Sequence, residues 1–72
     1  MYLGWYDPDK KKSAADKIND AAARYRRKWL CEPSVAIVNV ADAAVEVAGL
    51  EVRGSHVIPP NTFFVGEDED DE

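Results

Sequence analysis

The sequence has one cysteine, one histidine and no long apolar run, and each shortage excludes a class of protein. A single cysteine, Cys31, forms no internal disulfide, which excludes a disulfide-stabilised secreted scaffold and suits a reducing cytoplasm. One Cys and one His are too few for a structural zinc site, which needs four ligands. The longest apolar run, Val35 to Val38, is far shorter than the roughly 20 residues of a membrane-spanning helix. We therefore expect a cytoplasmic protein that does not enter a membrane.

Glycine is also scarce, and its four occurrences are scattered along the chain. None lies between a predicted strand and a helix start, so no phosphate-binding loop is expected. The composition is nevertheless that of a folded protein, with 46% hydrophobic residues, and a chain of 72 residues holds one small domain at most. We assign residues 1–66 to a single small α/β domain. Residues 67–72, "EDEDDE", are expected to form a flexible acidic tail.

The net charge of −5 conceals a strong asymmetry along the chain. Residues 10–28 contain eight Lys or Arg and two Asp, which gives a charge of +6. Residues 29–72 contain one Arg and ten acidic residues, which gives −9. The positive charge is therefore concentrated in one predicted element, and the negative charge in the rest of the chain.

Hydrophobic periodicity predicts one main helix among several short strands. Ser13 has the character of an N-cap, with Asp16 three residues later, and the helix is expected to end near Leu30 because Glu32 precedes Pro33. The apolar stripe of this helix, which includes Ile18, is typical of a core-facing surface. The segment 41–49 is ambiguous between a helical turn and a short strand. The predicted strands are residues 2–6, 34–40, 50–58 and 62–66, with a turn at 59–61.

These elements predict an α+β fold with two layers: a four-stranded mixed sheet and one main helix on one face. The expected topology is a βαβ unit followed by a β-hairpin. One helix cannot cover both faces of four strands, so the second face is expected to be polar, partly covered by residues 41–49, or buried against a partner. The run 35–38 and the aromatic residues argue against a polar face. We therefore expect a homodimer that forms through this face or through a sheet edge.

Acidic and amide side chains follow two of the predicted strands. Asp7 and Asp9 follow the first strand, and Asn39 and Asp42 lie at the end of the second. The carboxyl ends of parallel strands meet at one edge of a sheet, where α/β proteins bind ligands. Their oxygen atoms suit a hard cation such as Mg²⁺. The alternative is that these residues cap turns.

The basic helix has two interpretations. Its cations, together with those just before it, would make a stripe about 20 Å long that could follow phosphates. Alternatively, they complement the helix dipole, pair with Asp20, or are screened by the tail at residues 67–72. Nucleic-acid-binding domains tend to be basic overall, whereas this chain is acidic, so nucleic-acid binding is not favoured. The candidate contacts for nucleic acid or an acidic partner are Lys10, Lys11, Lys12, Lys17, Arg24, Arg27 and Lys28.

The opening "MYLGWYDPDKKK", followed by "AADKI", resembles the start of the small ferredoxin-like nucleases and integration subunits of CRISPR systems. Those proteins also open with a strand that ends in Asp and continue with a basic helix. The resemblance covers the first third of the chain. It assigns no catalytic residue, because "ADAAVEVAG" is too short for the second helix of that fold.

Taken together, these features favour a small cytoplasmic accessory or interaction protein that has no catalytic activity of its own and needs no cofactor. It would act through self-association and a protein partner. Two alternatives belong to other classes. One is a nucleic-acid-binding protein that uses the basic helix. The other is a metal-assisted phosphodiesterase or nucleotide-binding protein that uses the strand-end Asp residues.

Overall fold

The computed structural model of the chain describes residues 2–67, which form one four-stranded sheet and one α-helix. The predicted two-layer α+β fold with a mixed sheet is confirmed. Residues 68–72, most of the predicted acidic tail, lie outside the described residues. The elements in chain order are β1 (Tyr2–Tyr6), α1 (Ala14–Trp29), β2 (Val35–Asn39), a 3₁₀ turn (Val40–Asp42), β3 (Glu51–Ser55) and β4 (Thr62–Gly66).

The strand order is β1-β4-β2-β3, and it differs from the predicted topology in one respect. β4 is antiparallel to both of its neighbours, β1 and β2, whereas β2 and β3 are parallel. The predicted hairpin of the last two strands is therefore wrong, because β2 lies between them. The βαβ unit is also split, since β4 is inserted between β1 and β2. The link after β3 crosses the end of β2, where the Asn39 Nδ2 donates to the Ile58 carbonyl oxygen at 2.7 Å.

Local signals set both ends of α1. The Ser13 Oγ accepts a hydrogen bond from the Asp16 N–H at 3.1 Å, which confirms the predicted N-cap. At the other end Leu30 adopts a left-handed conformation with a φ of 59°, and its N–H donates to the Arg26 carbonyl oxygen at 2.8 Å. The helix therefore begins and ends where the sequence places its capping residues.

The hydrophobic core lies between α1 and one face of the sheet, which we call the covered face. The helix contributes Ile18, Ala21 and Tyr25, all fully buried. Burial of each large apolar side chain stabilises the fold by about 1.5–3 kcal/mol. Strand register places the following residues on the covered face: Leu3, Trp5, Ala36, Val38, Val52, Gly54, Phe63 and Val65.

The segment 40–50 also packs on the covered face, beside α1. Val47 joins the same core cluster as Ile18. A Cβ built on Gly54 would lie 3.0 Å from the Ala43 Cβ and 3.3 Å from the Val40 Cα, so glycine permits this close approach. The alternative in which residues 41–49 partly cover the opposite face is therefore wrong. Two right-handed crossovers that run in the same direction across a sheet lie on the same side of it.

No helix within residues 2–67 has both the length and the apolar character that a membrane span requires.

Candidate interaction surface

The second face of the sheet, here called the open face, is covered by neither α1 nor the segment 40–50. Its most exposed large hydrophobic side chains belong to β1: Tyr6 is 67% exposed and Tyr2 is 39% exposed. Phe64 and Ile37 beside them are half-buried. Strand register places these residues on the open face: Tyr2, Gly4, Tyr6, Val35, Ile37, Asn39, Glu51, Arg53, Ser55, Thr62, Phe64 and Gly66.

The chemistry of the open face changes from one edge of the sheet to the other. At β1 and β4 it is aromatic, with Tyr2, Tyr6 and Phe64. At β3 it is charged, because the Arg53 Nε and Nη2 donate to the two carboxylate oxygens of Glu51 at 2.9 and 3.1 Å. An apolar partner would therefore bind at the β1 side, where no charged group has to lose its hydration.

The outer edge of β1 has backbone groups that point away from the sheet. The Asp7 N–H donates to the Asn61 carbonyl oxygen at 3.0 Å, in the same register as the β1–β4 pair. Hydrogen-bonded pairs alternate along an antiparallel ladder, so Leu3 and Trp5 also bond to β4. The N–H and C=O groups of Tyr2, Gly4 and Tyr6 consequently point outward. β1 occupies the end of the strand order, with no strand of the described residues beyond it.

Of the predicted strand-end residues, Asp7 and Asp42 both bond to Asn61, but the carboxylate of each acid accepts a different N–H. The Asp7 Oδ1 accepts the Asp9 N–H at 3.1 Å, and the Asp9 Oδ1 accepts the Lys11 N–H at 2.9 Å. Asn39 caps the 3₁₀ turn through the Ala41 N–H at 2.8 Å. In the part of the chain from 2 to 67, no three Asp, Glu, His or Cys side chains are grouped so that they could hold a metal ion. The turn-capping alternative describes these contacts.

Asn61, which the sequence does not single out, joins the two strand ends. Its N–H donates to the Asp42 Oδ2 at 3.3 Å, and its carbonyl oxygen accepts the Asp7 N–H. Its own Oδ1 accepts a hydrogen bond from the Lys17 Nζ at 3.2 Å. Asn61 adopts a φ of 64°, a conformation that Asn tolerates better than most residues. An Asn that follows "PP" and precedes a strand is a turn signal, but it does not predict these partners.

Hydrogen bonds change the pKa of two groups at this end of the sheet, and charged neighbours add to the effect. The Asp9 N–H that Asp7 accepts is the main reason why the pKa of the Asp7 carboxyl lies below its ordinary value, and Lys12 contributes to the same effect. A hydrogen bond to Asp20 raises the pKa of the Lys12 ammonium. The Lys12 Nζ lies 2.7 Å from the Asp20 Oδ2 and 3.5 Å from the Asp7 Oδ2. These contacts hold the loop between β1 and α1 against the helix.

Fewer cations are available along the predicted basic stripe than the sequence indicates. Lys17 is only 5% exposed and bonds to Asn61, so it is not available to a phosphate. Lys12 is paired with Asp7 and Asp20. Lys28 lies 4.9 Å from the ring centre of Trp29. Apart from the paired Lys12, the exposed members are Lys10, Lys11, Arg24, Arg27 and Lys28.

Two further features carry little chemistry. Cys31 is an exposed free cysteine. A groove of about 630 Å³ lies beside β3 on the covered side of the sheet. Glu46 is the one charged side chain in its lining, so the groove lacks the convergent polar groups that orient a small ligand. Its lining residues are Val45, Glu46, Val47, Ala48, Leu50 and Val52.

No protein-family model matches this chain, and no curated protein and no solved structure matches it either.

Proposed function

We propose that this protein is a small cytoplasmic interaction protein without catalytic activity of its own, which acts as a homodimer and through a protein partner. The observation that carries the proposal is the exposure of Tyr2 and Tyr6 on β1. Both side chains lie on the open face, on a strand whose outer edge is also exposed. Self-association on the β1 side shields part of both side chains from water.

A monomer would leave apolar surface of β1 exposed to water. A monomer that exposes Tyr6 at 67% and Tyr2 at 39%, next to half-buried Phe64, leaves aromatic surface in water. Contiguous apolar patches on small proteins mark interaction sites more often than scattered single residues do. Large aromatic side chains also dominate the energetics of interfaces, because each buries about 150–250 Å². A second copy supplies an identical aromatic patch, and a two-fold axis pairs like patches most simply.

The nucleic-acid alternative would use Arg24, Arg27 and Lys28 at the C-terminal part of α1. These three exposed cations occupy a little more than one helical turn. Phosphate binding is driven by the number of cations that a surface presents. With Lys17 buried and Lys12 paired, the stripe lacks the central members that would connect Arg24 to Lys10 and Lys11. The acidic total of −5 further disfavours this alternative.

Sedimentation equilibrium over a hundredfold range of protein concentration tests the proposal. The weight-average mass should rise from that of the 8.0 kDa chain toward twice that value. Tyr6→Lys should move this rise to higher concentration, because it places a charge in the aromatic patch. Val57→Lys is the matched control: Val57 is 85% exposed but lies outside the sheet, so its variant should associate as the wild type does. An 8.0 kDa monomer at high micromolar concentration would overturn the proposal.

A further inference from the structure

We infer that two copies pair through the outer edges of their β1 strands, antiparallel and centred on Gly4, so that the two sheets become one. This inference rests on the proposed self-association and specifies its geometry. It assigns the second copy as the occupant of the β1 edge. It also names Tyr2, Gly4 and Tyr6 as the residues that make the contact.

The backbone groups on the outer edge of β1 favour a pair that is centred on Gly4. The outward N–H and C=O groups of β1 belong to Tyr2, Gly4 and Tyr6, as the bond between Asp7 and Asn61 requires. An antiparallel pair centred on Gly4 sets Gly4 opposite the partner's Gly4 and Tyr2 opposite the partner's Tyr6. All outward groups of the strand then face outward groups of the partner. A centre at Leu3 or Trp5 would leave part of them without a partner.

The sequence of β1 is also nearly symmetric about Gly4. "YLGWY" has matching residue types on either side of Gly4: Tyr2 and Tyr6 on the open face, Leu3 and Trp5 on the covered face. A two-fold axis at Gly4 therefore pairs tyrosine with tyrosine and leucine with tryptophan. Aromatic cross-strand pairs are among the stabilising contacts of antiparallel sheets. The self-complementary pattern is what a symmetric strand pair needs.

The outer edge of β1 also lacks the features that usually prevent an edge strand from pairing with another chain. Edge strands usually avoid pairing with other chains through a charged residue, a proline or a bulge within the strand. β1 contains no charged residue and no proline, and it pairs with β4 without a bulge over all of Tyr2–Tyr6. The edge thus has no bulge and no charged side chain from Tyr2 to Tyr6.

The other edge strand, β3, does not suit the same arrangement. The Glu51 N–H donates to the Ser34 carbonyl oxygen at 3.0 Å, so Glu51, Arg53 and Ser55 bond inward to β2, and Val52 and Gly54 point outward. A symmetric antiparallel pair that uses Val52 and Gly54 is centred on Arg53. It would set Arg53 opposite the partner's Arg53, and like charges directly opposite one another are destabilising.

Cysteine cross-linking tests the position of the two-fold axis. In a Cys31→Ser background, Gly4→Cys should form a covalent dimer on mild oxidation. Directly opposed Cα atoms of an antiparallel pair lie about 5.5 Å apart, within the range of a disulfide. The new Cβ would lie 3.2 Å from the Phe64 Cε1, so the ring has to move by a few tenths of an ångström. The control is Ser55→Cys, which lies on the same face but on β3. On a non-reducing gel this variant should show no covalent dimer.

A pair of double variants tests the register without a change at Gly4. Tyr2→Lys with Tyr6→Lys sets like charges opposite one another across the axis and should abolish the dimer. Tyr2→Lys with Tyr6→Glu sets opposite charges together and should dimerise at least about tenfold more tightly than the first variant. Both positions lie on the solvent-exposed side of β1, so both variants should remain folded.

The outcomes separate this inference from the proposed function. Two results together support the β1 pair. Gly4→Cys forms a covalent dimer while Ser55→Cys does not, and the Lys/Glu double variant dimerises more tightly than the Lys/Lys double variant. A wild-type dimer in which Gly4→Cys links no better than Ser55→Cys, and in which the two double variants associate equally, overturns the β1 pair but leaves self-association standing. Stacking of the open faces would give that result. A wild-type monomer at high micromolar concentration overturns both.

Discussion

β1 and β3 are the two edge strands of one sheet, and they present different chemistry to solvent. β3 carries Glu51 and Arg53, which bind each other on the open face, and the segment 40–50 packs against its covered side. β1 carries tyrosines on the open face and no charged side chain. Charge on an edge strand protects it from strand addition. The contrast indicates that one edge is closed to a partner and the other is suited to one.

The two faces of the sheet differ in the same way. Every large residue at the centre of the covered face is buried, including Phe63 and Val65, whereas Phe64 on the open face is half-buried and Tyr6 is exposed. The covered face therefore supplies most of the stability of the single chain. The β1 side of the open face supplies the surface for association.

The largest expected effect comes from two adjacent phenylalanines of β4 that point to opposite faces. Phe63→Ala should destabilise the fold by about 3–5 kcal/mol, because Phe63 is fully buried in the core. Phe64→Ala should cost about 1 kcal/mol in a dilute monomer and weaken the dimer instead. Urea denaturation and sedimentation of both variants measure this difference. Equal losses of stability would contradict the assignment of the two faces.

The next effect is a loss of stability at alkaline pH that depends on Tyr25. Burial, together with the negative charge of Glu67, raises the pKa of Tyr25 to about 12. A folded-state pKa above the unfolded value means that the stability is fully present below about pH 10 and is lost as the pH rises toward 12. The free energy of unfolding of the wild type and of Tyr25→Phe, measured from pH 8 to 12, isolates the contribution of Tyr25, since the other titrating groups are common to both. Parallel curves would refute this role for Tyr25.

A smaller effect distinguishes the two edge strands by their glycines. Gly54→Ala should destabilise the fold by about 1–3 kcal/mol, because the new Cβ meets the Ala43 Cβ at 3.0 Å and the Val40 backbone at 3.3 Å. Gly4→Ala meets only the edge of the Phe64 ring at 3.2 Å. It should be neutral, or stabilise by about 0.5 kcal/mol, since glycine weakens a strand. Thermal melts of the two variants, run in parallel, provide the measurement; a larger loss at Gly4 would reverse the comparison.

The parts of this fold that local chemistry controls could be predicted from the sequence. Ser13, Pro33 and the aromatic-rich run of residues 2–6 act within a few residues of themselves, so the sequence predicts α1 and β1 where they lie. The strand order was not, because the placement of β4 between β1 and β2 depends on pairings between distant segments. No local pattern in the chain specifies those pairings.

The candidate sites show the same division. The sequence predicted that Asp7 and Asp42 lie at one end of the sheet, and both bond to Asn61 there. It did not predict that Lys17 turns inward, since a lysine on the flank of a helical stripe can reach either solvent or a distant acceptor. Its acceptor, Asn61, is 44 residues away in the chain. The exposure of Tyr6 similarly became evident only once the strand register was known.

The exchange rate of the β1 backbone amides, measured by NMR at low and at high protein concentration, tests directly whether the β1 edges of two copies pair. The amides of Gly4 and Tyr6 point outward and should exchange slowly only where the dimer forms, because hydrogen bonds across the axis then protect them. The amides of Val52 and Gly54, which point outward from β3, should exchange at the same rate at both concentrations. We expect exchange to slow at β1 and to stay unchanged at β3. Exchange at Gly4 and Tyr6 that does not change with concentration, in a sample that sedimentation shows to be dimeric, would contradict pairing through β1.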